Sequence, residues 1–253
     1  MNVLFEDNHL LVVDKPAGMA TMGAEDDQET VHRWGCQYIK RKYNKPGNVF
    51  LGIVSRLDRL TTGVLVLART SKAASRLTIQ FGGPGKSKKV TGKAEKTYFA
   101  VLSGKLSHDT SFGHQGALRD SVYKDDAAHR MRVDRHQRQD AQAAELRYVV
   151  LAESQQHTLV AVRLVTGRKH QIRLQFADRG HPVVGDKKYG SAESFGGGIA
   201  LHSWCLQIDH PTKGDRLEFT ARPPASWGEH FPWLPPLSTI DAAASEGLAG
   251  QKE

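Results

Sequence analysis

Residues 55–68, Ser55-Arg56-Leu57-Asp58-Arg59-Leu60-Thr61-Thr62-Gly63-Val64-Leu65-Val66-Leu67-Ala68, most narrow what this chain can fold into. Val64 to Ala68 is an unbroken apolar run of strand length, which predicts a strand buried on both faces. A polar turn leads into it, with Asp58 between Arg56 and Arg59 and with Thr61-Thr62-Gly63 closing the loop. Positive charge beside a carboxylate favours its ionised form, so Asp58 is a candidate nucleophile or charge stabiliser. The same residues also fit an ordinary Asx-turn with two solvated arginines. The neighbouring segments decide between the two.

Leu10 to Val13 is a short buried-strand pattern, stopped by Asp14-Lys15-Pro16-Ala17-Gly18, where Pro16 fixes φ and Gly18 can take a positive one. From Thr30 to Tyr43 the apolar residues Val31, Trp34, Tyr38 and Ile39 repeat at helical spacing, with Asn44-Lys45-Pro46-Gly47 as the stop. Ser71 reads as the N-cap of a helix running to about Phe81. Gly82 to Ser87 contains Gly-Lys-Ser but is not a phosphate loop. Gln80 stands where the first glycine is required, and a helix pattern precedes it. Residues 82–94 read as a flexible basic loop. Lys96 to Leu102 is a strand pattern, and residues 103–142, without a clear period, suggest exposed hairpins. Leu146–Leu151 and Thr158–Leu164 form an antiparallel pair around the turn Glu153-Ser154-Gln155-Gln156. A helix is expected from Lys169 to Arg179, with Ile172 and Phe176 inward and Arg173 on another face. Ala200–His202 and Leu217–Thr220 supply final strands, and the Ala-, Gly- and Glu-rich residues 237–253 suggest a disordered tail. Strands scattered among a few helices with hairpin links define an α+β class with a largely antiparallel sheet.

Composition narrows the partners. The formal charge of +8 favours a polyanion, since each Lys or Arg placed on a phosphate releases condensed counterion. Charge alone does not choose among RNA, DNA and an anionic membrane surface. No apolar run approaches the roughly eighteen residues of a membrane span. The N-terminus has no basic segment leading into an apolar one, so no signal peptide is expected. Cys36 and Cys205 are the only cysteines, widely separated, which argues against a disulfide or zinc cluster and for a cytoplasmic setting.

Several of these segments, in this order, resemble the motifs of the RluA-type pseudouridine synthases. Phe5 to Gly18 resembles the first motif and residues 56–68 the second. Lys96-Thr97-Tyr98 resembles the short Lys-x-Tyr motif. Thr166 to Asp186, with Gly-Arg-x-His-Gln-Ile-Arg, Gly-His-Pro and Gly-Asp, resembles the third. Ser55 stands where the family usually has His, Thr62 where Ser is usual, and Gln175 where His is common. The resemblance spans residues 5 to about 225 and implies one pseudouridine synthase catalytic domain over 1–236. It implies a mixed, largely antiparallel sheet flanked by helices around a catalytic cleft, without the N-terminal S4-like RNA-binding domain of some members.

By this resemblance Asp58 is the nucleophile, Arg173 its salt-bridge partner, Tyr98 the ring that stacks on the uracil, and Arg56 the residue that helps extrude the nucleotide. A buried charge needs such a partner, and chemistry on a stacked base requires flipping it out. The isomerisation has no net redox step, so no cofactor or metal is implied. His170 and His181 fit capping or packing better than ligation. The expected partner is ribosomal or transfer RNA, with no membrane and no obligate protein partner, for a cytoplasmic monomer. A noncatalytic RNA-binding protein is the first alternative, opposed by the intact Asp58, Tyr98 and Arg173. A glycoside hydrolase is the second, and it lacks an evident second carboxylate.

Overall fold

The apolar run after Asp58 has no polar face to turn to water, and the chain covers it on both sides. The computed structural model describes residues 1–23, 28–84 and 92–249. Its elements run β1 (Asn2–Glu6), β2 (Leu10–Lys15), α1 (Val31–Lys42), β3 (Gly52–Ile53), β4 (Thr62–Ala68), α2 (Ser71–Gln80), β5 (Glu95–Ser103), β6 (Gln115–Asp125), β7 (Arg130–Val133), β8 (Gln142–Glu153), β9 (His157–Leu164), α3 (Gln171–Ala177), β10 (Leu201–Asp209), β11 (Arg216–Thr220), α4 (Ser226–His230) and α5 (Leu237–Ala249). The class is α+β, as the pattern predicts. The chain forms two compact units, Met1–Lys96 with Ser203–Pro223, and Thr97–His202 with Pro224–Glu253.

In the first unit every residue of β4 is buried. β2 lies antiparallel on one side, from Leu10 opposite Ala68 to Lys15 opposite Gly63. β1 continues the sheet beyond β2, and β10 with β11 continues it on the other side of β4. Leu10, Val12, Val64, Val66, Leu206 and Ile208 share one face and pack on Ala73 and Leu77 of α2. Gly63, where the loop enters β4, has φ +108, and a Cβ there would come within 2.2 Å of the Ser203 carbonyl oxygen. Only glycine lets the backbone of β10 approach this closely. α1 has its predicted span, with Thr30 Oγ1 accepting from the Arg33 N–H. The cap of α2 is Thr70 rather than Ser71, because the extended residue with its hydroxyl on the Ala73 N–H is Thr70. The loop predicted over 82–94 falls largely on residues 85–91, outside the described residues.

The second unit builds its sheet in the order β5-β9-β8-β6-β7, each pair antiparallel. The hairpin predicted across residues 153–156 is β8–β9, and the aperiodic 103–142 region holds the β6–β7 hairpin. That hairpin is not wholly exposed, for Val122 and Met131 pack with Ala144 and Leu174. Two expectations need correction. α3 is shorter than Lys169–Arg179, because His170 adopts a left-handed conformation, φ 54, just before it. Gln171 closes that turn, its Oε1 accepting from the Arg168 N–H and from Thr166 Oγ1. Residues 237–249 are helix rather than disordered tail. Ile240, Ala244 and Leu248, one turn apart, are buried, and Arg163 Nη1 donates to the Leu248 carbonyl at 3.2 Å. The abundance of small residues hid that stripe.

Candidate active site

Asp58 lies half-buried on an irregular loop between β3 and β4, with Arg56 exposed beside it and Leu57 buried. The loop is tied down from several directions. Thr21 Oγ1 donates to the Leu57 carbonyl at 2.9 Å and accepts from the Leu57 N–H at 3.2 Å. The Thr61 N–H closes a turn on the Asp58 carbonyl at 3.1 Å. Arg59, the residue after Asp58, donates its Nε to the Gly18 carbonyl at 2.9 Å. The Gly18 N–H returns a bond to the Arg59 carbonyl at 2.9 Å. Gly18 has φ +82, the left-handed turn that Pro16-Ala17-Gly18 predicts. The first and second motif segments are thus one hydrogen-bonded assembly.

The residue that sequence reasoning missed is Lys15. Its side chain is fully buried, and its Nζ donates to the carbonyls of Pro16 and Met19 at 2.8 Å each and of Arg59 at 3.2 Å. Burial pushes its ammonium down to about 8, while the Asp58 carboxylate pulls it upward. The positive charge interacting with Asp58 in this unit thus includes a lysine at the end of β2. The only signal was a lysine closing an apolar strand just before proline.

Tyr98 and Arg173 belong to the second unit. Tyr98 sits on β5 opposite Val162 and is buried. Arg173 is not a solvated helix arginine. It is 4% exposed and makes a bidentate pair with Asp186, Nε to Oδ2 at 2.6 Å and Nη2 to Oδ1 at 2.8 Å. Its guanidinium also lies 5.1 Å over the Tyr189 ring, whose hydroxyl meets His170 Nδ1 at 2.8 Å. His181 bonds the Ser103 carbonyl and Asp109, so both histidines have partners within the fold. Gln175, where the resemblance leads one to expect His, is fully buried and donates to the Leu118 carbonyl and to Asp120. There it ties α3 to β6.

Comparison with known proteins bears on what these groups serve. A family model described as RNA pseudouridylate synthase matches residues 9–178. In an alignment of 262 positions the chain is 30% identical to ribosomal large subunit pseudouridine synthase D of Pseudomonas aeruginosa, covering 98% of this chain and 74% of that protein. It is also 30% identical to tRNA pseudouridine synthase C of Yersinia pestis, over 92% of this chain and 88% of that one. The solved structure of human RNA pseudouridylate synthase domain containing 1 has the same fold, with a TM-score of 0.71 at 22% identity over 96% of this chain and 94% of that one. The chain belongs to the RNA pseudouridylate synthase family, in its RluA-type group. It is therefore an isomerase acting on RNA, and the glycoside hydrolase reading falls away.

Proposed function

We propose that this enzyme converts specific uridines of structured ribosomal or transfer RNA to pseudouridine, with Asp58 as the nucleophile. The observation that carries the assignment is the anchoring of Asp58. The carboxylate stands on a loop fastened by Thr21 and Lys15, inside the segment that resembles the family's second motif. A nucleophile held on such a loop is positioned before substrate arrives. In the reaction the uridine N1–C1′ bond breaks, the uracil turns, C5 bonds to C1′, and the C5 proton leaves as N1 gains one. Product and substrate are isomers, so the chemistry balances with no co-reactant. The roles of the other residues follow the resemblance. Tyr98 offers its ring to the uracil and a hydroxyl for the C5 proton, and Arg173 supplies positive charge to Asp58. Arg56, exposed on the nucleophile's loop, helps draw the nucleotide out of its stack. Relatives named for the ribosomal large subunit and for tRNA support both substrate classes.

The test is tritium release from RNA carrying 5-tritiated uridine, run separately on ribosomal and transfer RNA fractions. Wild type should release tritium from one fraction and Asp58→Asn from neither, with RNA affinity kept by the variant. Asn is nearly isosteric with Asp but a poor nucleophile. Substantial turnover by homogeneous Asp58→Asn protein would remove Asp58 from the role.

A further inference from the structure

Between β7 and α3 in the second unit lies a cavity of about 420 Å³ that neither Tyr98 nor Arg173 lines. Its rim is cationic. Arg130, Arg132 and Arg135 reach it from the edge strand of the sheet and the turn after it, and Asp178 is the one carboxylate of the lining. Two of the guanidiniums are held in place, Arg135 by Asp178 at 2.8 Å and Arg132 by Asp125 at 2.5 Å. The floor is apolar. Met131 and Leu174 lie there in a packed cluster with Val122 and Ala144. Tyr189 completes it, its ring fixed because the hydroxyl accepts from the Met131 N–H at 3.1 Å and meets His170. An inorganic anion has no use for the apolar floor, and an apolar ligand has none for the arginines. A nucleotide uses both, its phosphate on the guanidiniums and its base on the aromatic and aliphatic surface. A volume of about 420 Å³, near the lower end of small-molecule pockets, admits one nucleotide and excludes a duplex.

We propose that this cavity seats one unpaired nucleotide of the RNA substrate, distinct from the reacting uridine, with its phosphate on Arg130 and Arg135 and its base against Met131, Leu174 and Tyr189. The proposal rests on the RNA-modifying reading above. It makes the β6–β7 hairpin a determinant of which RNA is chosen, since seating requires an unpaired residue in the bound RNA.

The experiment compares affinities of the full chain for two RNA probes, a stem-loop with a single-stranded flank and a blunt duplex. Arg130→Gln/Arg135→Gln should weaken binding of the flanked stem-loop by about tenfold. It should also flatten the salt dependence by about 0.7 in log–log slope, the loss of one single-strand phosphate contact. The blunt duplex should change less than twofold. Asp178→Asn keeps both arginines and removes the wall's carboxylate, so it should tighten the flanked probe, which guards against a double variant that simply fails to fold. Equal losses on the two probes would mean a general basic surface and overturn the proposal, as would no loss on either. Uridine 5′-monophosphate displaced by the double substitution, with flanked RNA binding unchanged, would mean a site for free nucleotides and overturn it too. If wild type binds neither probe and modifies no RNA, the RNA reading fails first, and the cavity's role falls with it.

Discussion

The ammonium of Lys15 donates to the carbonyl oxygen of Arg59 at 3.2 Å, so the residue that ends β2 fixes the residue that follows Asp58. Arg59 answers through its guanidinium on the Gly18 carbonyl. Segments more than forty positions apart in the sequence therefore share one hydrogen-bonded network, and disturbing either moves the candidate nucleophile.

Lys15→Met keeps the aliphatic stem and removes the donor to three carbonyls. Charged hydrogen bonds contribute about 1.5–3 kcal/mol each, and relief of the buried charge offsets part of their loss, so a net destabilisation of about 2–4 kcal/mol is expected. Single-turnover rate should fall by about a hundredfold, because the Asp58 loop loses its lower anchor. Urea titration and quenched single-turnover assays measure the two effects. A variant destabilised as expected but reacting at the wild-type rate would show that the anchor serves the fold alone.

The same lysine gives a pH dependence whose sign differs between stability and rate. Its folded value of about 8 lies below the ordinary 10.5. Between those limits the unfolded chain binds more protons at this group than the folded one, so its contribution to stability grows as pH rises through the window. Turnover should move the other way. Deprotonation near pH 8 removes positive charge interacting with Asp58, and the rate should decline on an alkaline limb that Lys15→Met lacks. An identical limb in wild type and variant would assign the titration to another group.

At Gly63 two demands coincide, a φ of +108 and a Cβ position 2.2 Å from the Ser203 carbonyl oxygen. At Gly214, φ is +92 but nothing lies within 4 Å of the Cβ position. Gly214→Ala should therefore cost only the left-handed conformation, about 1 kcal/mol. Gly63→Ala should cost about 3 kcal/mol or more and lower activity, since β4 and β10 must part next to the Asp58 loop. Thermal denaturation of the two variants side by side provides the comparison.

The elements legible in the sequence were those whose burial pattern is local. Val64–Ala68 declared a buried strand because no polar residue interrupts it, and the β8–β9 hairpin declared itself by two apolar runs around a polar turn. α5 was not legible. Its buried stripe is Ile240, Ala244 and Leu248, and alanine marks a core position only when its neighbour across the interface is known. The candidate site was legible only by resemblance. Asp58 between two arginines also fits an ordinary turn with solvated arginines, and the bond that ties one of them to the Gly18 carbonyl joins segments far apart in sequence. Lys15 and Asp186 do not stand out in the sequence, because what they do depends on the folded chain, where Lys15 reaches the Arg59 carbonyl as well as two nearby ones and Asp186 meets a buried guanidinium.

The Arg173–Asp186 pair allows its structural and catalytic parts to be separated. Both side chains are almost fully buried, 4% and 1% exposed, and both guanidinium–carboxylate bonds are short. Removing one partner of such a pair leaves a charge in a poorly solvated place, so Asp186→Leu should destabilise by about 3–5 kcal/mol. Replacing both partners with apolar groups removes the uncompensated charge, and such exchanges are often neutral or stabilising. Arg173→Met/Asp186→Leu should therefore regain most of the lost stability. It should not regain turnover, because Arg173 is assigned to supply positive charge to Asp58 and methionine supplies none. Arg173→Lys, which keeps a charge but loses the planar fork, should fall between, with a rate above the double variant and a stability below wild type. Urea midpoints and single-turnover rates for the three variants decide the assignment. A refolded double variant that forms pseudouridine at the wild-type rate would reduce Arg173 to a structural residue.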